Sequence, residues 1–308
     1  MALPLVDPTL GYITVSEVSM AEFYSQVFNG LVLGLLFGVM ALGFMLILGV
    51  MEVINFSHGA LFALGAYFAL SLQPYLGYWA SLIIAPLLVG VIGLFIEWSA
   101  VRRIYGKDPL LGLLMTFGMA MAFEEIIRIV WGKIGYSIAA PKFVAGPIDL
   151  GFIFYSKYRL FLAALAFMLL ALVWIFLEKT PYGAIIKAGV SDSEMVLALG
   201  KNLRRIRTVV FGLGAALAGI AGVIAGPMWS LKPTMGWEVL MPSFVIVVIG
   251  GIGSFWGAVI GGLIVGLSKS LSILVWPRMS ELAMYFIMAI VLVVRPRGIM
   301  GEKSLLEQ

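Results

Sequence analysis

Cysteine is absent from this 308-residue chain, and histidine occurs once, at His58. No disulfide framework, thiolate metal site or cysteine nucleophile can be built from such a sequence. A zinc site or proton relay made of several histidines is excluded too. Nor is there a G-x-x-x-x-G-K-[ST] run to cradle nucleotide phosphates, or an H-E-x-x-H helix. Charge is equally scarce: Asp, Glu, Lys and Arg make up 12% of the residues, against 62% apolar. Soluble domains carry roughly 25% charged and about 45–50% apolar residues. Burial saturates as chains lengthen, so a water-soluble fold could not hide this much apolar surface. The net charge of +4 comes from residues scattered through loops, which is no footprint for nucleic acid. The first 25 residues lack a basic segment and include Asp7, Glu17 and Glu22, so no cleavable signal is expected.

What is present is a series of apolar runs. Hydrocarbon about 30 Å thick requires roughly 20 apolar residues per helix. Such runs occupy residues 26–50, 56–73, 79–100, 109–131, 160–177, 208–227, 239–253, 258–275 and 282–294. The glycine-rich stretch at 250–254 leaves open whether its two neighbours are separate crossings or one re-entrant hairpin. The expected fold is therefore an all-α polytopic membrane bundle of about nine spans, within a range of eight to ten. Residues 26–301 form its membrane domain, preceded by an N-terminal extension (1–25) and followed by a short tail (302–308). Lys and Arg set the orientation, because loops on the cytoplasmic side are enriched in them. With nine crossings, Arg102, Arg103, Lys107, Lys179, Lys187, Lys201, Arg204, Arg205, Arg207, Arg295, Arg297 and Lys303 share one side. That places the N-terminus and its extension outside, and the C-terminal tail in the cytoplasm.

Small residues recur every four positions at Gly30, Gly34 and Gly38, and again at Gly214, Ala218, Gly222 and Gly226. This spacing lines one helix face and lets backbones approach closely in lipid. The reading is helix packing, within the bundle or against a partner, with the lining of a path as the lesser alternative.

Ionisable groups within the spans are candidates for the pathway, since lipid penalises them. Glu124 and Arg128 stand four apart on one helical face and can pair. Glu125 is then left needing a partner or water, and Lys269 in a later span is a candidate to pair with it across helices. Structural pairing near the outer end of the helix is the alternative to a polar lining of the path. Glu97 is expected to snorkel at the inner boundary. Asn55, Ser57 and His58 read as a polar break at the start of the second span, with simple helix capping as the alternative. Residues 178–207 form a long inner loop with an amphipathic stretch that lies on a surface or docks a partner. Ile185, Ile186, Met195, Val196 and Leu199 are its apolar contacts, and Lys187, Asp192, Glu194 and Lys201 its charges.

Three groups of segments together resemble a known family. One is NGLVLGLLFG at 29–38, ALGFMLILG at 41–49 and VINFSHGA at 53–60. Another is GAIIKA at 183–188, ALG at 198–200 and AALAGIAG at 215–222. The last is GGIGSFWGAVIGG at 250–262 and VRPRGIMG at 294–301. In this order they resemble the branched-chain amino acid ABC permeases of the LivH type, from about residue 26 to 301. The resemblance implies a non-enzymatic permease in a bacterial inner membrane, holding no cofactor of its own. Its partners would be a second related permease, two cytoplasmic ATPases that carry the ATP and Mg, and a periplasmic substrate-binding protein. It also implies that Gly183, Ala184, Lys187, Ala188, Gly189, Ala198 and Gly200 couple the chain to an ATPase. Urea, short amides and small organic acids are alternative substrates within the family. An ion-coupled secondary transporter using Glu124, Glu125, Arg128 and Lys269 is the rival class.

Overall fold

In the computed structural model the described residues are 19–191 and 193–301; the side chains of 193 and 194 are outside that description. The extension up to residue 18, Asp192 and the tail from residue 302 lie outside it as well. The chain is a bundle of ten α-helices among the described residues. These are α1 (Met20–Met51), α2 (Ser57–Ser99), α3 (Pro109–Trp131), α4 (Lys157–Lys179), α5 (Pro181–Ser191), α6 (Ser193–Ala198), α7 (Leu203–Ala225), α8 (Met235–Gly250), α9 (Phe255–Val275) and α10 (Ser280–Val294).

Helix α1 starts on a capping box. The Ser19 hydroxyl accepts from the Glu22 amide (3.2 Å), while the Glu22 carboxylate accepts from the Ser19 amide (2.9 Å). From Leu36 to Met51 it is apolar or glycine all round and almost wholly buried, as befits a helix surrounded by others. It is packed by α9, α7, α8 and α4. A β-carbon at Gly34 would sit 2.8 Å from the Gly262 carbonyl of α9, and one at Gly30 would sit 2.8 Å from the Leu267 backbone. Gly214 lies as close to Gly43 of α1, Gly222 lies against the Phe62 carbonyl of α2, and Gly226 meets Ile138. Gly38 differs, since nothing comes nearer than 3.9 Å to its would-be β-carbon.

Helix α2 is long enough, at 43 residues, to reach about 64 Å if straight, twice the hydrocarbon thickness. It is not straight. Gly77 has φ 74 and ψ 172, which interrupts the helix. Gly65 and Val89 both touch Gly219 of α7, although about 36 Å would separate them along a continuous helix. The two halves therefore fold back on each other and flank α7. Glycine at 77 makes this possible, because its positive φ strains any residue with a β-carbon.

Helices α8 and α9 form an antiparallel hairpin whose backbones meet at Gly250 and Gly257. Gly251 and Gly253 turn the chain with φ 96 and φ 86, and the Ser254 hydroxyl caps α9 by accepting from the Gly257 amide at 3.1 Å. The C-terminal segment then closes the end of α8, with Ile299 and Met300 donating to the Ile249 and Gly250 carbonyls.

Seven helices among the described residues are long and apolar enough to cross a membrane, and α8 is a shorter apolar one. The molecule is thus a polytopic helical bundle. The all-α expectation needs one correction. Strands β1 (Pro147–Asp149) and β2 (Phe154–Ser156) pair antiparallel in the loop before α4. Asp149 accepts from the Gly151 amide at 2.8 Å, and Gly151 at φ 85 completes the turn.

Candidate functional site

The most unusual backbone lies between α1 and α2. Helix α1 stops at Glu52, whose φ of 57 is left-handed, and residues 53–56 run without helix into the bundle. Thr116 of α3 fastens them: its hydroxyl donates to the Ile54 carbonyl (3.0 Å) and accepts from the Phe56 amide (3.2 Å). The Asn55 carboxamide oxygen then accepts from the Ser57 amide at 3.1 Å and from the Ser57 hydroxyl, which starts α2. Asn55, Ser57 and His58 are all buried, at 1%, 0% and 0% exposure.

His58 packs edge-on against Phe44, and its Nε2 lies 3.2 Å from the Met40 carbonyl. A carbonyl only accepts, so Nε2 carries the proton and Nδ1 carries the lone pair. Nδ1 has no partner, and neither does the Asn55 Nδ2 amide. Beside them the backbones of Gly59 in α2 and Gly236 in α8 are in contact, so two helix N-termini meet here.

Glu124 approaches this junction from α3. Its carboxylate accepts from the Trp237 indole (2.8 Å) and from Arg128 (2.6 Å), and it borders a small cavity with Phe56, Gly59 and Gly236. Arg128 also holds Glu125, at 2.7 Å. The expected Glu125–Lys269 pair is therefore not formed. One guanidinium reaches both carboxylates within a single turn of α3, whereas Lys269 of α9 faces Glu281 of α10 at 3.7 Å.

Glu97 also departs from expectation. It does not snorkel but is fully buried, at 0% exposure. Its carboxylate accepts from Arg102 (2.9 Å), the Thr208 hydroxyl (2.7 Å) and the Tyr105 hydroxyl (3.0 Å). Arg207 lies over the Tyr105 ring at 4.7 Å and donates to the Val50 carbonyl. Burial, reinforced by the Glu97 charge, pushes the Tyr105 phenol above its ordinary value, so it stays a donor. The cluster ties together the ends of α1 and α2 and the start of α7.

Within the long loop, residues 181–191 and 193–198 form the short helices α5 and α6. Gly183 rests on the backbone carbonyls of Phe176 and Leu177, while Ile186 and Gly189 also face inward. The missing side chain at Gly183 lets α5 lie against the end of α4, and Gly189 is buried near Leu203 and Val50. Ala184, Lys187 and Ala188 are exposed, with Lys187 paired to Glu178 at 2.7 Å. Val190 touches both Gly49 of α1 and Gly253 in the α8–α9 turn. Ala198 is exposed, as are Leu197 and Leu199, and Gly200 turns the chain at φ 74.

Sequence reasoning missed Asn29 and Arg159. Arg159 in the first turn of α4 donates to the Asn29 carboxamide oxygen, which also accepts from the Tyr155 hydroxyl at 2.9 Å. These residues border a cavity of about 640 Å3. The signal available was weak: a lone arginine at the edge of an apolar run. No group of three or more His, Asp or Glu suited to a metal ion occurs among the described residues.

Residues 26–294 match the family model for the permease component of branched-chain amino acid transport systems. The high-affinity branched-chain amino acid transport permease LivH of Escherichia coli K12 is 30% identical over 297 residues, covering 91% of this chain and 96% of its own. BraD of Pseudomonas aeruginosa, with the same description, is 26% identical over 91% and 96% of the two chains. LivM of Escherichia coli K12 is also similar, at 26% identity over 87% of this chain and 68% of its own.

Proposed function

The chain belongs to the branched-chain amino acid transport permease family, and from that premise we propose that it forms the membrane path of an ABC importer for hydrophobic amino acids. The observation that carries the reading is the match over nearly the whole chain, with relatives aligned along nine tenths of both partners. Motive power then comes from separate ATPases, since this sequence has no P-loop. A periplasmic binding protein delivers the substrate, and a second permease completes the path. The likeness to both LivH and LivM, two permeases of one organism, favours a paired arrangement. The membrane is the cytoplasmic one.

Nine crossings are proposed: α1, the two halves of α2, α3, α4, α7, α8, α9 and α10. The fold-back at Gly77 supports counting α2 twice. The N-terminus is then outside and α5 and α6 are cytoplasmic. The cysteine-free chain suits a labelling test: a cysteine placed at Ser191 reacts with membrane-impermeant reagent only in inside-out vesicles. Reaction in right-side-out vesicles would reverse the topology.

Coupling is assigned to the exposed face of α5 and α6, around Ala184, Lys187, Ala188 and Ala198, with Gly200 closing the segment. The contact of Val190 with the α8–α9 turn gives a push on α5 a direct route into the bundle. The translocation path is proposed to pass the Asn55–Ser57–His58 break, whose unpartnered polar atoms can bond to substrate or water as the helices move. Arg128 holds Glu124 and Glu125 beside it, whereas Lys269 lies apart on α9. Work is done by stabilising one bundle arrangement over another as ATP binds and leaves, with no covalent step in this chain.

The test is reconstitution of the chain with its partner permease, ATPases and binding protein. Leucine uptake should require ATP. Uptake driven by a proton gradient without ATPases would replace this reading with a secondary transporter. In the same system, Lys187→Glu with Ala188→Glu should lower uptake at least about tenfold, since like charge at a docking face costs several kcal/mol. Wild-type uptake by that double variant would remove the coupling role.

A further inference from the structure

The cavity of about 640 Å3 beside Arg159 is lined by both polar and apolar groups. It lies where α1 and α4 begin and α7 ends. The polar lining includes the Arg159 guanidinium, the Asn29 carboxamide and Ser156, the N-cap of α4, whose hydroxyl makes no capping bond. Among the described residues no carboxylate lies within ion-pair distance of Arg159, and no Asp or Glu lines the cavity. Asn29 spends its acceptor oxygen on Arg159 and Tyr155, which fixes the guanidinium in place but leaves its positive charge uncompensated among the described residues. Burial raises the Tyr155 phenol, with the neighbouring Arg159 opposing that shift. The apolar lining includes Val144, Phe154 and Met228.

A fixed guanidinium with no carboxylate partner among the described residues, next to a helix N-terminus, favours a carboxylate over any neutral group. The apolar wall favours an aliphatic body attached to it. We propose that this cavity is a reception site for the substrate, with the α-carboxylate on Arg159 and the aliphatic side chain against Val144, Phe154 and Met228. The proposal rests on the permease reading above and adds the chemical feature that is recognised. For the α-ammonium the cavity offers only neutral oxygens, such as those of Ser25 and Tyr158. Selection therefore falls on the carboxylate and tolerates loss of the ammonium.

The assembled transporter in lipid nanodiscs, without its binding protein, is the sample. Saturation-transfer NMR compares leucine, 4-methylpentanoate (no ammonium) and leucinamide (no carboxylate). Leucine and 4-methylpentanoate should bind, and leucinamide roughly tenfold less tightly, the loss expected for one charge-assisted bidentate contact. Arg159→Gln should erase that preference, and Arg159→Lys should retain part of it. Equal binding of leucine and leucinamide to the wild type, no binding of any of the three, or an unchanged preference in Arg159→Gln would each overturn the proposal. The wild-type comparison needs no variant, so misfolding cannot decide it. ATP-dependent leucine uptake is measured separately: its failure, with the carboxylate preference intact, would count against the family's substrate and not against the cavity.

Discussion

Two fully buried polar sites in this bundle are built on opposite plans. Where α1 and α2 end and α7 begins, the Glu97 carboxylate is met by Arg102, Thr208 and Tyr105. At the α1–α2 junction, Asn55 and His58 are as deeply buried, yet each keeps one nitrogen without a partner. A satisfied cluster in a low-dielectric interior fixes one arrangement of the elements it joins. An unsatisfied one is costly in the resting state and gains when something polar arrives. The difference separates a site that holds the bundle together from the one proposed to answer to a substrate or a change of state.

The largest effect on stability is expected at the satisfied site. Glu97→Ala takes the carboxylate from Arg102, Thr208 and Tyr105 at once, and breaking a buried hydrogen-bonded network of this kind costs about 1–3 kcal/mol. A melt of the purified protein followed by tryptophan fluorescence should show it, while uptake per folded molecule stays near wild type. At the open site, His58→Leu removes one hydrogen bond to Met40, worth about 0.5–1.5 kcal/mol. Here uptake should fall by far more than the folded fraction does. Uptake that merely tracks the folded fraction would make the junction structural and dissolve the contrast. The smallest effect is Tyr105→Phe, which leaves Glu97 with two partners and should cost less than about 1 kcal/mol. A loss as large as that of Glu97→Ala would show that the phenol, and not the carboxylate, organises the cluster.

The two sites were also unequally visible beforehand. Asn55, Ser57 and His58 stand out because polar residues interrupt apolar runs, and position alone marked them. What holds the break was not visible, since Met40, which faces His58, and Thr116, which bonds to Ile54 and Phe56, come from other helices. Glu97 was misread because an acidic residue at a span's end snorkels unless distant chain segments bring donors to it. Thr208 comes from more than a hundred residues away. The Glu125–Lys269 pairing failed for the reverse reason: Arg128, one turn away, was the nearer partner for both acids. Asn29 and Arg159 lie on helices brought together only by folding, so neither was legible as part of a cavity.

The sequence by itself determined that lipid is the solvent, that the chain crosses it repeatedly as helices, and that no nucleotide site is carried in the P-loop manner. Composition and periodicity suffice for this, because a bilayer leaves helices as the way for apolar runs to satisfy their own backbone. Tertiary structure alone decided that α2 doubles back at Gly77 to clasp α7, that Glu97 is closed while His58 is open, and that Arg159 borders a cavity with no carboxylate partner among the described residues. Those outcomes depend on which helix faces meet. Lipid supplies little hydrophobic drive to select them, so close glycine packing and a few long-range polar bonds make the choice.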